Sequence, residues 1–352
     1  MPNPTYFDSA AKFNCCTLDC VGNLKQISPV NHDRANPLHI VAAEMRRAED
    51  KLAELIDSRE ALIAEICRYL VNAGGKRLRP TFVLLIYRAC GGGDARLEDA
   101  IDAAIAMELI HSATLLHDDI IDAGTVRRGK PSAFTLYGLG PSLVAGDYLF
   151  ARAFELCGKF EDELVRIAAQ ACVQLTEGEV MEGRLRRNEQ VTIDDYLGVI
   201  SRKTASLFRA GAQVAAQLAG ALTKASAMGR LGEAFGLAFQ MIDDLLDILG
   251  PEEKIGKPVG SDLRAGIPSL PVVLGVERDS RLSKLLRAET GADGPGFERL
   301  LELLRAPELV ERARAMALEQ VTVARKTLAE LRPSPYRDSL AALIEEQVHR
   351  EL

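Results

Sequence analysis

The 352-residue chain contains no tryptophan, and aromatic residues make up only 5% of it. Strands favour aromatic and β-branched side chains, so this scarcity, beside abundant Ala, Leu and Glu, argues for helices rather than sheets. No stretch reaches the ~18 consecutive apolar residues that a membrane-spanning helix requires. The opening residues, MPNPTYFDSAAKFNCC, lack a basic segment followed by an apolar one, so no secretory signal is visible. The cytoplasm is the expected compartment. Seven cysteines are an odd number for a disulfide framework. Cys67, Cys90, Cys157 and Cys172 each stand alone in helical patterns and read as buried free thiols. Cys15, Cys16 and Cys20 cluster, but without a zinc-ligand spacing. A positive excess is also missing: the net charge of −7 argues against a nucleic-acid partner, whose phosphates call for a basic face.

What is present points to a large core. Apolar residues make up 47% of the chain and charged ones 26%, as in globular proteins. Residues 1 to 37 are punctuated by Pro and Asn without periodicity and read as a loosely ordered extension. From residue 38 to 352 apolar positions recur every three or four residues. Helices are expected near 40–56, 61–70, 80–90, 97–122, 141–157, 162–187, 193–221, 226–249, 296–305, 307–331 and 335–351. A long loop should lie between Pro251 and Pro271, of the kind that is often functional. Neither strand alternation nor a fixed repeat is visible. The expected fold is all-α: a single large helical bundle around a central cavity.

Two acidic clusters carry the chemistry. Asp118, Asp119 and Asp122 close an apolar helical run, and Asp243, Asp244 and Asp247 repeat the same spacing. Residues four apart share one helix face, so Asp118 and Asp122 aim at one spot. Oxygen ligands at one-turn spacing suit a hard cation such as Mg²⁺, which keeps waters and bridges to phosphate. A single acidic cluster is as often a solvated face. Two matched ones ending apolar runs need a cation to relieve like-charge repulsion. Basic residues gather beside chain breaks, at Gly74-Gly75-Lys76-Arg77-Leu78-Arg79-Pro80 and at Arg127-Arg128. A helix start already favours an anion, and guanidinium forks suit diphosphate oxygens. Together these spacings suggest a metal–diphosphate clamp.

The stretches LLHDDIID…RRGKPS, GGKRLRP, Arg202-Lys203-Thr204 and FQMIDDLLD resemble the trans-isoprenyl diphosphate synthases, or polyprenyl synthetases, from about residue 38 onward. The resemblance implies an all-α prenyl-elongation fold, a homodimer, and three Mg²⁺ held between the aspartate-rich helices. It further implies condensation of an allylic diphosphate, such as farnesyl diphosphate, with isopentenyl diphosphate. By the same resemblance Asp118, Asp122, Asp243 and Asp247 are metal ligands, with Asp119 and Asp244 supporting them. Lys76, Arg79, His111 and Arg128 correspond to the isopentenyl diphosphate site. Arg127, Lys203, Thr204 and Gln240 correspond to contacts of the allylic diphosphate. His117, next to Asp118, reads as a supporting partner of the aspartates rather than a general base. One departure stands out: many relatives carry lysine where Ile267 stands, so either Lys257 or Arg264 compensates or the site binds diphosphate less tightly.

Product length should depend on the residues one and more turns before Asp118. Short-chain relatives place aromatics there. Here Ala113 and Thr114 leave the first level open, Ile110 and Met107 narrow the next, and Ala106 and Ala103 follow. A product longer than C20, in the range of quinone side chains and passed on to membrane enzymes, is expected. A short-chain synthase is the near alternative. A terpene cyclase would not need Lys76, Arg79 and Arg128, and a non-catalytic subunit would not need both acidic clusters complete.

Overall fold

The computed structural model describes residues 37–186, 188, 190–250, 258–279, 281–289 and 294–348. A short 3-10 turn leads into helices α1 (Ala42–Leu55), α2 (Ala61–Asn72), α3 (Leu78–Ala89) and α4 (Leu97–Ile121). A hairpin of two-residue strands, β1 (Val126–Arg127) and β2 (Lys130–Pro131), follows, with Val126 opposite Pro131. Then come α5 (Ala133–Tyr137), α6 (Leu139–Cys157), α7 (Asp162–Leu185), α8 (Ile193–Ile200), α9 (Ser206–Leu218) and α10 (Ala225–Leu249). The chain continues through α11 (Ser261–Ala265), α12 (Leu270–Arg278), α13 (Arg281–Glu289), α14 (Pro295–Leu304), α15 (Pro307–Leu328) and α16 (Pro335–Val348).

Local sequence explains many of these boundaries. Ser132 caps α5 by accepting from the Thr135 amide at 3.1 Å. Thr192 and Asp195 form a reciprocal capping box at the start of α8, satisfying two otherwise orphaned amides. Prolines open α14, α15 and α16, where the missing N–H costs nothing.

Helix α4 is the hub. Its apolar side chains point in every direction, and Ile101, Ile105, Leu109 and Leu116 are all buried. Such a helix must be surrounded, and α3, α6 and α9 pack around it, while α10 packs between α9 and α15. Truncating Leu109 to Ala should cost ~3 kcal/mol through lost contacts and a residual cavity. Two smaller apolar clusters, one including Tyr196, Leu245 and Val273 and one including Phe297 and Leu301, support the lower part of α10. No described helix is long and apolar enough to cross a membrane.

The structure departs from the expected elements in five places, one of them the five-residue α5, too short to show periodicity. The helix expected over 193–221 runs to Leu218 but contains a π turn over Ser201–Ala205, which divides it into α8 and α9. The segment 251–271 is not all loop, because α11 forms within it, while 251–257 lie outside the described residues. Helices α12 and α13, nine residues each, are too short to show a periodic signal. The hairpin after α4 pairs only two residues per strand, too few for alternation to register. Residues 1–36, with Cys15, Cys16 and Cys20, lie outside the described residues.

Candidate active site

One cavity of about 950 Å³ opens among α3, α4, α7, the π turn and α10. The C-terminal parts of α4 and α10 and the N-terminal end of α3 border it. Helix C-termini carry partial negative charge and N-termini partial positive charge. The backbone alone therefore divides the cavity into an acidic side and a basic side.

The acidic side brings Asp118, Asp122, Asp243 and Asp244 to the same space. Burial, the largest cause, pushes the Asp118 carboxyl up to about 7, with Lys203 opposing and Glu179 adding to the shift. Asp244 is likewise pushed up to about 7 by burial and then by Asp262. Its oxygens are well occupied: Tyr196 donates from its hydroxyl at 2.8 Å, Gln240 from Nε2 at 2.9 Å and Leu270 from its amide at 2.9 Å. Thr204 donates in turn to Gln240 Oε1 at 2.8 Å, so Thr204, Gln240, Asp244 and Tyr196 form one chain of bonds.

Lys203 projects from the π turn into the cavity, 2.7 Å from both Glu179 and Glu182. Single π turns inside helices commonly mark functional positions. This one depends on Gly178 of α7, where an added Cβ would fall 2.5 Å from the Lys203 backbone nitrogen. Burial raises the Glu182 carboxyl above its usual range.

The basic side contains Lys76, Arg77, Arg79, His111, Arg127 and Arg128. Burial lowers the Arg79 guanidinium to about 10, and its Nε is buried without a hydrogen-bond partner. The guanidinium carbon lies 4.8 Å from the centre of the Phe208 ring. Burial, followed by repulsion from Arg79, Arg128, Arg127 and Arg77, holds His111 well below its ordinary value, so its ring is neutral. Arg77 is the anchor of this side, bonded to Glu108 at 3.1 Å and to the Val71 carbonyl at 2.9 Å. Among the described residues the non-glycine positions with positive φ are Arg77, Ala123 and Arg128. All three adjoin the cavity or its aspartates, where backbone strain concentrates at functional sites. Gly75, at φ +146°, leaves room for the Arg128 guanidinium, which would sit 3.0 Å from a Cβ there.

Several expected site residues are placed elsewhere. Asp119 is turned from the cavity, and Arg127 Nε donates to both of its oxygens at 2.9 Å. Asp247 is buried and caps α11, accepting from Ser261 Oγ at 2.7 Å and from the Asp262 amide at 3.2 Å. It is absent from the cavity lining, standing one turn beyond Asp243 on α10, where Ser261 and Asp262 take up its oxygens. His117 does not support the aspartates; its Nε2 pairs with the Leu143 carbonyl at 3.1 Å, pinning α4 to α6. Ala113, Ile110, Met107 and Thr114 are buried, and none lines the cavity. Ile267 does line it, while Arg264 bonds the Val259 carbonyl at 2.6 Å and covers the Phe297 ring. Lys257 lies outside the described residues.

Sequence reasoning missed Glu108, Glu179, Glu182, Arg186 and Tyr196. Glu179 and Glu182, three apart on an otherwise amphipathic helix, carried the only visible hint. Arg186 ion-pairs with Asp122.

The fold is helical, and acidic and basic walls face each other across one cavity. Comparison with known proteins gives this arrangement a family. Residues 60–303 match the polyprenyl synthetase family. The chain is 35% identical over 320 residues to the short chain isoprenyl diphosphate synthase of Methanothermobacter thermautotrophicus, covering 86% of this chain and 95% of that one. It is also 35% identical over 320 residues to the nonaprenyl diphosphate synthase of Mycobacterium tuberculosis, covering 88% and 95%. Among solved structures it resembles the polyprenyl synthase of Caulobacter crescentus complexed with calcium and isoprenyl diphosphate, with a TM-score of 0.84 and 32% identity over 89% of this chain and 97% of that one. The chain belongs to the polyprenyl synthetase family and is a prenyltransferase. The names of its relatives run from short-chain to nonaprenyl synthase, so they leave its product length open.

Proposed function

We propose that this chain condenses an allylic diphosphate with successive isopentenyl diphosphate units, using Mg²⁺, to give an all-trans polyprenyl diphosphate longer than C20. The observation that carries this reading is that buried carboxyls and buried cations line the two sides of one cavity. Buried carboxyls on one side are pushed up, and buried cations on the other are pushed down. A cation at the first and an anion at the second would relieve both.

Among the described residues no three such groups close a metal site by themselves, but the donor type fits one that diphosphate oxygens would complete. Asp118, Asp122 and Asp243 offer carboxylate oxygens to the same cavity, as a hard ion requires, and these three would hold it. Bound there, Mg²⁺ would supply positive charge to a departing diphosphate. Lys203 and Arg127 bind diphosphate oxygens on the allylic side, and their fixed charges favour the transition state in which the C–O bond breaks. Lys76, Arg79 and Arg128 hold the isopentenyl diphosphate, with neutral His111 as a hydrogen-bonding partner. The isopentenyl double bond then forms the new C–C bond to the allylic carbon, and the released diphosphate takes the proton that is lost.

The longer product rests on the small side chains of Ala113 and Thr114 alone, since neither lines the cavity. A homodimer is supported by exposed apolar side chains along α6, including Leu139, Val144 and Phe154. Residues 38–352 form the catalytic unit in this reading, and the cytoplasm is the compartment.

Incubating the purified chain with farnesyl diphosphate, labelled isopentenyl diphosphate and Mg²⁺ tests the proposal, with mass spectrometry of the hydrolysed product. Label in an alcohol longer than C20 is expected. No incorporation would favour a non-catalytic subunit, and a product stopping at C20 would favour the short-chain alternative.

A further inference from the structure

Arg186 follows the last residue of α7, and its guanidinium is ion-paired with Asp122 Oδ1. It also lies 3.6 Å from Glu182 Oε1. Its Nε is buried without a hydrogen-bond partner, so the charges of Asp122 and Glu182, rather than a full set of hydrogen bonds, hold the side chain. Asp122 follows the C-terminus of α4, the end whose dipole disfavours a carboxylate. Asp122 lines the cavity and Arg186 does not. The arginine therefore stands behind the carboxylate rather than beside a substrate. Lys203 plays a parallel part with Glu179 and Glu182. Among the described residues, no three carboxylate, imidazole or thiol groups converge closely enough to hold a metal ion, although three candidate ligands face one cavity. The acidic wall is built around its own cations.

We propose that Arg186 is a resident countercation on Asp122 that makes divalent-metal binding depend on diphosphate. This rests on the reading of Asp122 as a metal ligand. A guanidinium on one oxygen of the ligand occupies a lone pair and cancels part of the potential that would attract a bare divalent ion. A singly metallated diphosphate still carries net negative charge, so the same arginine does not oppose it. Metal and diphosphate are thereby coupled: each binds better with the other present, by the same factor.

The test measures Mn²⁺ binding to the full chain by the free-ion signal in electron paramagnetic resonance, with and without inorganic diphosphate. Arg186→Gln should bind Mn²⁺ alone about fivefold or more tightly than the unaltered protein, and the gain on adding diphosphate should shrink. Arg186→Lys, which keeps the charge, should stay close to the unaltered protein, and circular dichroism of both variants controls for folding. Metal affinity unchanged or weakened in Arg186→Gln overturns the proposal, since a merely structural arginine would weaken it. If the unaltered protein fails to bind Mn²⁺ even with diphosphate, the metal-site reading itself fails, and this inference with it.

Discussion

Arg127 grips Asp119 with its Nε equidistant, at 2.9 Å, from both carboxylate oxygens, and its terminal nitrogen reaches the same group at 2.8 Å. The middle aspartate of the first cluster thus clasps the β1–β2 hairpin to the end of α4 instead of facing the cavity. Asp119→Asn should therefore cost about 2 kcal/mol of stability, read by urea denaturation, since it strips the charge from a largely buried pair. Its effect on kcat should be at least tenfold smaller than that of Asp118→Asn, for which a loss of about 10²-fold or more is expected. Equal kinetic losses would place Asp119 in the cavity after all.

Tyr196 steadies Asp244. In Tyr196→Phe the carboxylate keeps the Gln240 and Leu270 donors but loses the hydroxyl bond, at a cost of about 1 kcal/mol. Activity should fall several-fold with little change in fold, as shown by parallel kinetics and thermal melting.

Arg77 acts through geometry. Arg77→Ala leaves Glu108 buried without its partner, removes the bond to Val71, and frees the Gly74–Arg79 turn. The expected result is a KM for isopentenyl diphosphate raised about tenfold with a smaller change in kcat, the signature of lost binding. A kcat effect alone would contradict it.

The cysteines give a pH dependence that does not involve the site. Burial pushes Cys67 up to about 12, and Cys90, Cys157 and Cys172 up to about 11. A raised folded pKa favours the proton-bound native state, so this contribution is intact below about pH 9 and is lost as pH rises toward the folded values. Stability should decline above about pH 9, and Cys67→Ala should flatten that decline. Denaturation midpoints from pH 8 to 11 check the slope.

Product length is the boldest expectation. Ala113→Phe should shorten the product in chromatography of labelled alcohols. Because Ala113 is fully buried, the same change should overpack α4 and lower stability by about 1–3 kcal/mol. Unchanged product length would remove the tail from this face of α4.

The sequence spoke most clearly where periodicity ran long. Helix α4 was legible from residues 97–122 because an apolar run with no charged stripe has one physical outcome. The matched aspartates were legible because identical spacing on two such helices is hard to arrive at otherwise. Side-chain pairing was not. Asp119 and Asp247 look like Asp118 and Asp243 in one dimension, yet Asp119 points to another face of α4, Asp247 stands one turn further along α10, and each meets a local donor, Arg127 or Ser261. The π turn at Lys203 was equally hidden, since it comes from the approach of Gly178 on a helix some 25 residues away. Arg186 reaches Asp122 across 64 residues, a relationship no local pattern encodes.

In the proposed reaction Asp118 and Asp243 act on one shared metal–diphosphate. A double-mutant cycle tests it most directly, using calorimetric affinity for inorganic diphosphate in the presence of Mn²⁺. Asp118→Asn and Asp243→Asn should each weaken binding strongly, and the double variant should lose little more than either, with a coupling of about 1 kcal/mol or more. Fully additive losses would mean that the two carboxylates serve separate ions, and would contradict the account.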